Sequence, residues 1–223
     1  MGYAPGMRAL LLVLALLSSP VFAARYTVPV DVGVGPAAFV LSGPVFDDQP
    51  VHFGLKLNVE AVIDKEWIRK NGRAIPKRYR GMAKNVNEVR ISPSLLIPDS
   101  FFISPKVRNT GIYGVTWRPV GLMQSVGEGP VRLRLGLGLL LTYAFIHSDV
   151  LPTTHFVRPG ADLMAELELM PVKSFGLSLG WASGFYVPQK LGSLGVGPLN
   201  QSVWHVGQAY LKLHVRFPYE VRR

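Results

Sequence analysis

The chain has 223 residues, of which 48% are hydrophobic and none is cysteine, and it carries a formal net charge of +10 at pH 7. The lack of cysteine rules out disulfides, thiolate metal sites and a lipidated N-terminal cysteine. Beyond its N-terminus no run reaches the roughly eighteen apolar residues of a spanning helix, which excludes a helical membrane bundle. The basic excess comes without the aromatic and basic spacing of nucleic-acid binders, so anionic lipid headgroups are the expected partners and nucleic acid is not.

At the N-terminus Met7 and Arg8 precede an apolar run over residues 9–17, and the small-residue pattern Ser18, Ser19, Pro20, Val21, Phe22, Ala23 follows. This predicts a secretory signal peptide over 1–23, cut between Ala23 and Ala24, because the run is too short to span a bilayer. Residues 24–223 then form a single domain.

Along that domain the apolar residues recur at every second position, the period of a strand. The first strand sets Tyr26, Val28, Val30, Val32 and Val34 against Thr27, Pro29, Asp31 and Gly33. The second, over 51–63, sets Val51, Phe53, Leu55, Leu57, Val59, Ala61 and Ile63 against His52, Gly54, Lys56, Asn58 and Glu60. A third over 87–97 is interrupted by Pro93, which a sheet tolerates only at an edge or bulge. A fourth over 111–123 also contains a proline.

The fifth strand, PVRLRLGLGLLLTYAF over 130–145, is apolar at every odd position from Val131 to Phe145, with Arg132, Arg134, Gly136 and Gly138 opposite. At about 3.3 Å per residue it reaches roughly 50 Å, enough to cross a bilayer obliquely. The sixth, over 159–170, opposes Ala161, Leu163, Ala165, Leu167 and Leu169 to Asp162, Met164, Glu166 and Glu168. The seventh, over 175–185, opposes Phe175, Leu177, Leu179, Trp181 and Phe185 to small residues, and the last, over 203–217, alternates Ala209, Leu211, Leu213, Val215 and Phe217 with Tyr210, Lys212, His214 and Arg216.

Short connections at 124–129 and 171–174 alternate with longer ones at 35–50, 98–110, 147–158 and 188–202, the asymmetry of periplasmic turns and external loops. The pattern predicts an all-β chain: a transmembrane antiparallel up-and-down β-barrel of about eight strands, with a basic periplasmic insertion over 64–87. A soluble barrel or sandwich has the same alternation turned inside out. The signal peptide, the strand lengths and a second face that mixes glycine with paired charges favour the membrane form, because a narrow barrel interior needs small residues to admit large ones.

On these residues the chain resembles the small eight-stranded outer-membrane β-barrels of Gram-negative bacteria. The resemblance implies an integral outer-membrane location, contact with outer-membrane lipids and lipopolysaccharide, and a C-terminal assembly signal, matched by Leu213, Val215 and Phe217, for the outer-membrane assembly machinery. Six residues, 218–223, follow that aromatic, where the family commonly ends on it.

Three groups of side chains are candidates for function. Arg132, Arg134, Asp162, Glu166, Glu168 and Lys212 form an expected interior charge cluster; a pairing register summing to about 304 would place Glu168 opposite Gly136 and diagonal to Arg134. Residues 64–84 hold eight basic against two acidic residues. There Asp64 is placed to cap a short helix bearing Trp67 and Ile68, and Arg69, Lys70, Arg73, Lys77, Arg78, Arg80 and Lys84 offer a basic surface to anionic headgroups or an acidic periplasmic protein. At the outer rim His147, Ser148, Asp149 and His155 carry the residue types of acid–base chemistry, but neighbours on a strand point oppositely, and no catalytic residue, metal site or cofactor is assigned to them. The expected role is a non-enzymatic anchor or scaffold of the envelope, with limited passage of small solutes. A lipid A or phospholipid modifying enzyme and a narrow gated channel stand as the alternatives.

Overall fold

The structure, a computed structural model, describes residues 26–42, 51–72, 87–92, 97–107, 110–127, 129–149, 154–187, 189–190, 200–201 and 204–221. The expected signal peptide, 1–23, lies outside them. Strands β1 (Tyr26–Ser42), β2 (Val51–Asp64), β3 (Glu88–Ile91), β4 (Ser100–Val107), β5 (Thr110–Val126), β6 (Val131–Ser148), β7 (Thr154–Val172) and β8 (Phe175–Tyr186) precede two short strands, β9 (Gln189–Lys190) and β10 (Asn200–Gln201), and the closing β11 (Trp204–Val221). Helix α1 (Lys65–Asn71) follows β2.

Nine of these strands make one antiparallel sheet that closes on itself, with β1 bonded to β2 on one side and β11 on the other. Because β3 and β4 stand end to end between β2 and β5, the wall has eight positions around its circumference. β9 and β10 pair only with each other among the described residues.

Closure turns alternate side chains in and out. Leu133, Leu135, Leu137 and Leu139 are all more than two-fifths exposed, whereas Arg134 and Glu166 on the same hairpin are 1% exposed. That inverts a soluble protein and is the arrangement lipid requires, with backbone groups paired around a closed ring.

The interior has two layers. Towards the outer end Phe39, Leu41, Phe102, Ile112, Ala144, Ile146 and Val206 belong to one buried apolar cluster, with the Phe39 and Phe102 rings 5.2 Å apart. A Cβ on Gly54 or Gly114 would overlap those rings, so each glycine is the recess in which a phenyl ring sits. Below lies a polar layer built on the same device: Gly33 and Gly176 flank His214, Gly121 and Gly138 flank Arg118, and Gly180 faces Tyr210.

Three expectations are corrected, and one strand gains a bulge. β1 does not stop at Val34 but runs through Gly35 and Pro36 to Ser42, because Ala37, Phe39 and Leu41 keep the inward parity. The single third strand over 87–97 is instead two pieces, and β4 lies where a loop over 98–110 was expected. Backbone bonding to the wall runs as far as Ser92, whose N–H donates to the Pro119 carbonyl, and again from Asp99, whose N–H donates to the Thr116 carbonyl; Pro93 and Pro98 between them have no backbone N–H to give. The proline in β5 marks a bulge: Trp117 pairs with Leu141 but Val120 with Leu139, one residue extra over Arg118–Pro119. Finally, β6 and β7 run on to Ser148 and back from Thr154, so their register sums to 300 rather than about 304: Glu166, expected opposite Gly138, faces Arg134, and Glu168, expected opposite Gly136, faces Arg132.

Candidate functional site

The polar layer is an ion-paired network drawn from every wall position but β8, which adds only the Ser178 hydroxyl. Arg134 on β6 reaches Glu166 and Glu168 on β7 and Glu88 on β3, with Glu166 at 3.5 Å and the other two closer. Arg90 on β3 donates to Glu88 (2.6 Å) and Glu60 (2.9 Å) and lies 3.6 Å from Asp31. Asp31 accepts from Asn58 (3.1 Å) and from Arg216 (3.0 Å) across the β1–β11 seam. Higher up, Lys212 and the Tyr210 hydroxyl meet Glu166 at 3.1 and 2.9 Å. Arg118 holds Asp162 at 3.0 Å, and Lys56 holds Asp99 at 2.5 Å. The layer ends under the apolar one in a hydroxyl chain, Thr116 to Thr142 (2.8 Å) to Tyr186 (2.9 Å). A cavity of about 20 Å³, room for one water, separates them, lined by Asp99, Asp162 and Gln208 among others.

Dehydrated charges are tolerable only when each has a partner, and here Asp31, Glu60, Glu88, Glu166 and Glu168 each meet at least two basic groups, while Asp99 and Asp162 are each held by one. Of the expected cluster, Arg134, Asp162, Glu166, Glu168 and Lys212 come together. Arg132 does not: it sits at the short turn between β5 and β6 and its Nε donates to the Gly129 carbonyl at 3.1 Å, because on β6 it lies below the enclosed part of the barrel. Asp31, Glu60, His214 and Arg216 were missed as partners although their strand parity points them inward. Arg118 was hidden by the bulge, and Glu88, Arg90 and Asp99 by the broken third position.

One corner resembles a nucleophilic triad. Ser178 Oγ lies 3.2 Å from His214 Nε2, and His214 Nδ1 lies 3.3 Å from Asp31. Triad chemistry needs a serine open to substrate. Ser178, His214 and Asp31 are each at most 1% exposed, Asp31 is shared with two arginines, and Glu168 lies 3.7 Å from the nitrogen that would take the serine proton. Asp31, Glu168 and His214 also bring donor atoms within 4.8 Å of one another. Arg90, Arg134 and Arg216 already occupy those carboxylates, a donor set that repels a further cation.

On the outside, α1 forms as its sequence directs. Asp64 Oδ1 accepts from the Trp67 backbone N–H (2.7 Å), and Lys70 bonds Glu66 (2.7 Å), holding that carboxyl below its usual range with help from the charges of Lys70, Arg69 and Lys173. Trp67 packs with Ile63 and Val89, flanked by Val28, Ile68, Ile91, Val120 and Leu122, and its indole N–H donates to the Thr27 carbonyl at 2.9 Å. The strand members of this cluster all have outward parity, so α1 lies on the outer wall at the end of the barrel that carries the short turns, across β1, β2, β3 and β5. Arg69 and Lys70 are exposed there. Arg73, Lys77, Arg78, Arg80 and Lys84 lie outside the described residues.

At the outer rim His155 Nδ1 is 2.8 Å from the Tyr143 hydroxyl, and His147 stacks on Phe145. These are contacts among ring side chains of the outward face. Leu213, Val215 and Phe217 also face outward on β11, which continues past Phe217 to pair Pro218–Val221 with Tyr26–Pro29.

No protein-family model and no curated protein matches the sequence. Among solved structures, the barrel is similar to Neisserial surface protein A (NspA) at 13% identity and a TM-score of 0.50, over 87% of this chain and 99% of that one. Two structures of Ail, the attachment invasion locus protein of Yersinia pestis, also align. The one in complex with the heparin analogue sucrose octasulfate has 13% identity and a TM-score of 0.48, over 86% of this chain and 100% of that one. The other has 15% identity and a TM-score of 0.45 over the same shares. The fold is that of the small integral outer-membrane β-barrels.

Proposed function

We propose that this barrel, set in the outer membrane, works from its outer surfaces as an anchor or scaffold for envelope components and performs no chemistry of its own. The observation that supports this reading is the filled interior: an ion-paired layer below and an apolar layer above occupy the space a channel or an enclosed active site would use. Small solutes could pass only if both layers parted, so passage is secondary to anchoring. The lipid-modifying alternative is not adopted, because the Ser178, His214 and Asp31 run is enclosed and the rim histidines are engaged with aromatic rings. The surfaces left for partners are the apolar belt for lipid, the rims for lipopolysaccharide, the outward Leu213, Val215 and Phe217 for the assembly machinery, and the basic residues after α1 for a periplasmic protein.

The test has two arms. Purified protein in planar bilayers is expected to give no steady conductance. Photo-crosslinking from Arg73 or Lys77 positions in whole cells is expected to capture a defined envelope protein. A stable open conductance together with no captured partner would overturn the proposal in favour of the channel.

A further inference from the structure

We infer that α1 is a collar that binds anionic phospholipid in the periplasmic leaflet, with Lys65 and Arg69 as the headgroup-recognising cations. The inference rests on the membrane reading above but not on the scaffold role.

The helix is amphipathic across its short length. Trp67 is buried and Ile68 half-buried against the wall, while Lys65, Glu66, Arg69 and Lys70 are exposed. Lys70 is spent on Glu66, whose charge Arg69 also feels, and neither Lys65 nor Arg69 forms a salt bridge among the described residues. The position along the wall matters as much as the charge. On the opposite side of the barrel the apolar belt stays uncovered down to the turns, where Val131, Leu133, Leu169, Val172 and Phe175 are all at least 42% exposed. On this side α1 replaces the last lipid-facing rows of β2, β3 and β5, so its outer surface falls at the depth where acyl chains give way to phosphates. A helix of this kind lies in the interfacial plane, with its tryptophan at the boundary and its cations toward the headgroups.

Polar but uncharged surfaces would suit a zwitterionic headgroup equally well. Two cations outside any salt bridge at phosphate depth select anionic lipid, with about fivefold in local affinity for each cation near an anionic surface. An acidic protein is the competing occupant. The lipid is favoured because the cations stand beside the membrane-facing wall rather than over the mouth of the barrel.

The absence of cysteine allows a single label, and Gly72 is the place for it: its φ is −58° and a Cβ there meets nothing within 4 Å. Gly72→Cys carrying a fluorophore would be refolded into phosphatidylcholine vesicles containing one-fifth phosphatidylglycerol (roughly physiological in anionic content), with bromine on either lipid in turn. Quenching by brominated phosphatidylglycerol is expected to exceed its bulk share severalfold. The excess should fall to the bulk share in Lys65→Gln/Arg69→Gln and in high salt. A heat-modifiable gel shift in each variant checks that the barrel has folded. Equal quenching by both lipids, or an excess that survives the double substitution, would overturn the inference. Lost enrichment with partner crosslinking intact would remove the collar and leave the scaffold standing; the converse would remove the scaffold alone.

Discussion

Replacing Arg134 with methionine keeps most of the side-chain volume and deletes the cation on which three carboxylates converge. Removing one partner of a buried pair typically costs on the order of 3 to 5 kcal/mol. The structure apportions that cost unevenly. Glu166 keeps Lys212 at 3.1 Å and the Tyr210 hydroxyl at 2.9 Å, and Glu88 keeps Arg90 at 2.6 Å. Glu168 is left with His214 and Arg216, each at 3.7 Å. It is therefore the stranded charge, and adding Glu168→Met should recover more than half of the loss. Adding Glu166→Gln instead should recover nothing, because it strands Lys212 as well. Urea unfolding in lipid vesicles, followed by the heat-modifiable gel shift, measures each variant, and the two double-mutant cycles isolate the couplings. Additive losses in the Arg134 and Glu168 cycle, or equal rescue by both second substitutions, would refute this account of the network.

On the lipid face, Leu137→Arg should cost roughly 2 to 4 kcal/mol and impair membrane assembly, whereas Thr142→Ser should be near neutral because it retains the hydroxyl that meets Thr116 and Tyr186; comparing folded yield in outer-membrane fractions checks both. Gly114→Leu should lower heat resistance sharply by expelling the Phe102 ring from its recess, while Gly72→Ala should leave it unchanged, as differential gel migration on heating would show. Trp67→Ala should free α1 from the wall without opening the barrel, so trypsin would cut after Lys65, Arg69 or Lys70 in a protein that still migrates as folded; a helix that stays protected would contradict the packing described for Ile63 and Val89.

What the sequence reveals of this architecture follows from a simple rule and fails where the rule does. A period of two puts Arg134 and Glu166 on the face opposite their leucines without reference to any other strand, so the ring and most of its inward acids can be read directly. Parity is broken at Arg118–Pro119, where one extra residue transfers the inward face from even to odd numbers, and Arg118 cannot be assigned until the bulge is known. Arg90 and Asp99 are lost for a related reason, since two prolines split one wall position into pieces too short to show a pattern. The β6–β7 register depends on where a loop begins. Ile146 and Thr154 continue the ladder into a stretch whose histidines and prolines look like loop. The side of the wall on which α1 packs has no signal in its own seven residues; it follows from the outward parity of Ile63, Val89 and Val120, known only after the strands are paired.

The bond between Asp31 and Arg216 joins residues 185 positions apart and crosses the seam where the first strand meets the last. Asp31 therefore cannot be neutralised from that side until the whole barrel sequence is available to pair. Such long-range closure is slow in comparison with hairpin formation, because chain entropy must be lost before the contact is gained. An unclosed sheet entering lipid would carry Asp31 on an open edge next to unpaired backbone groups, both strongly disfavoured there. The seam charge thus acts as a checkpoint on order of events: insertion ahead of closure is penalised, and the strand pair that completes the ring also quenches the charge that opposed its burial.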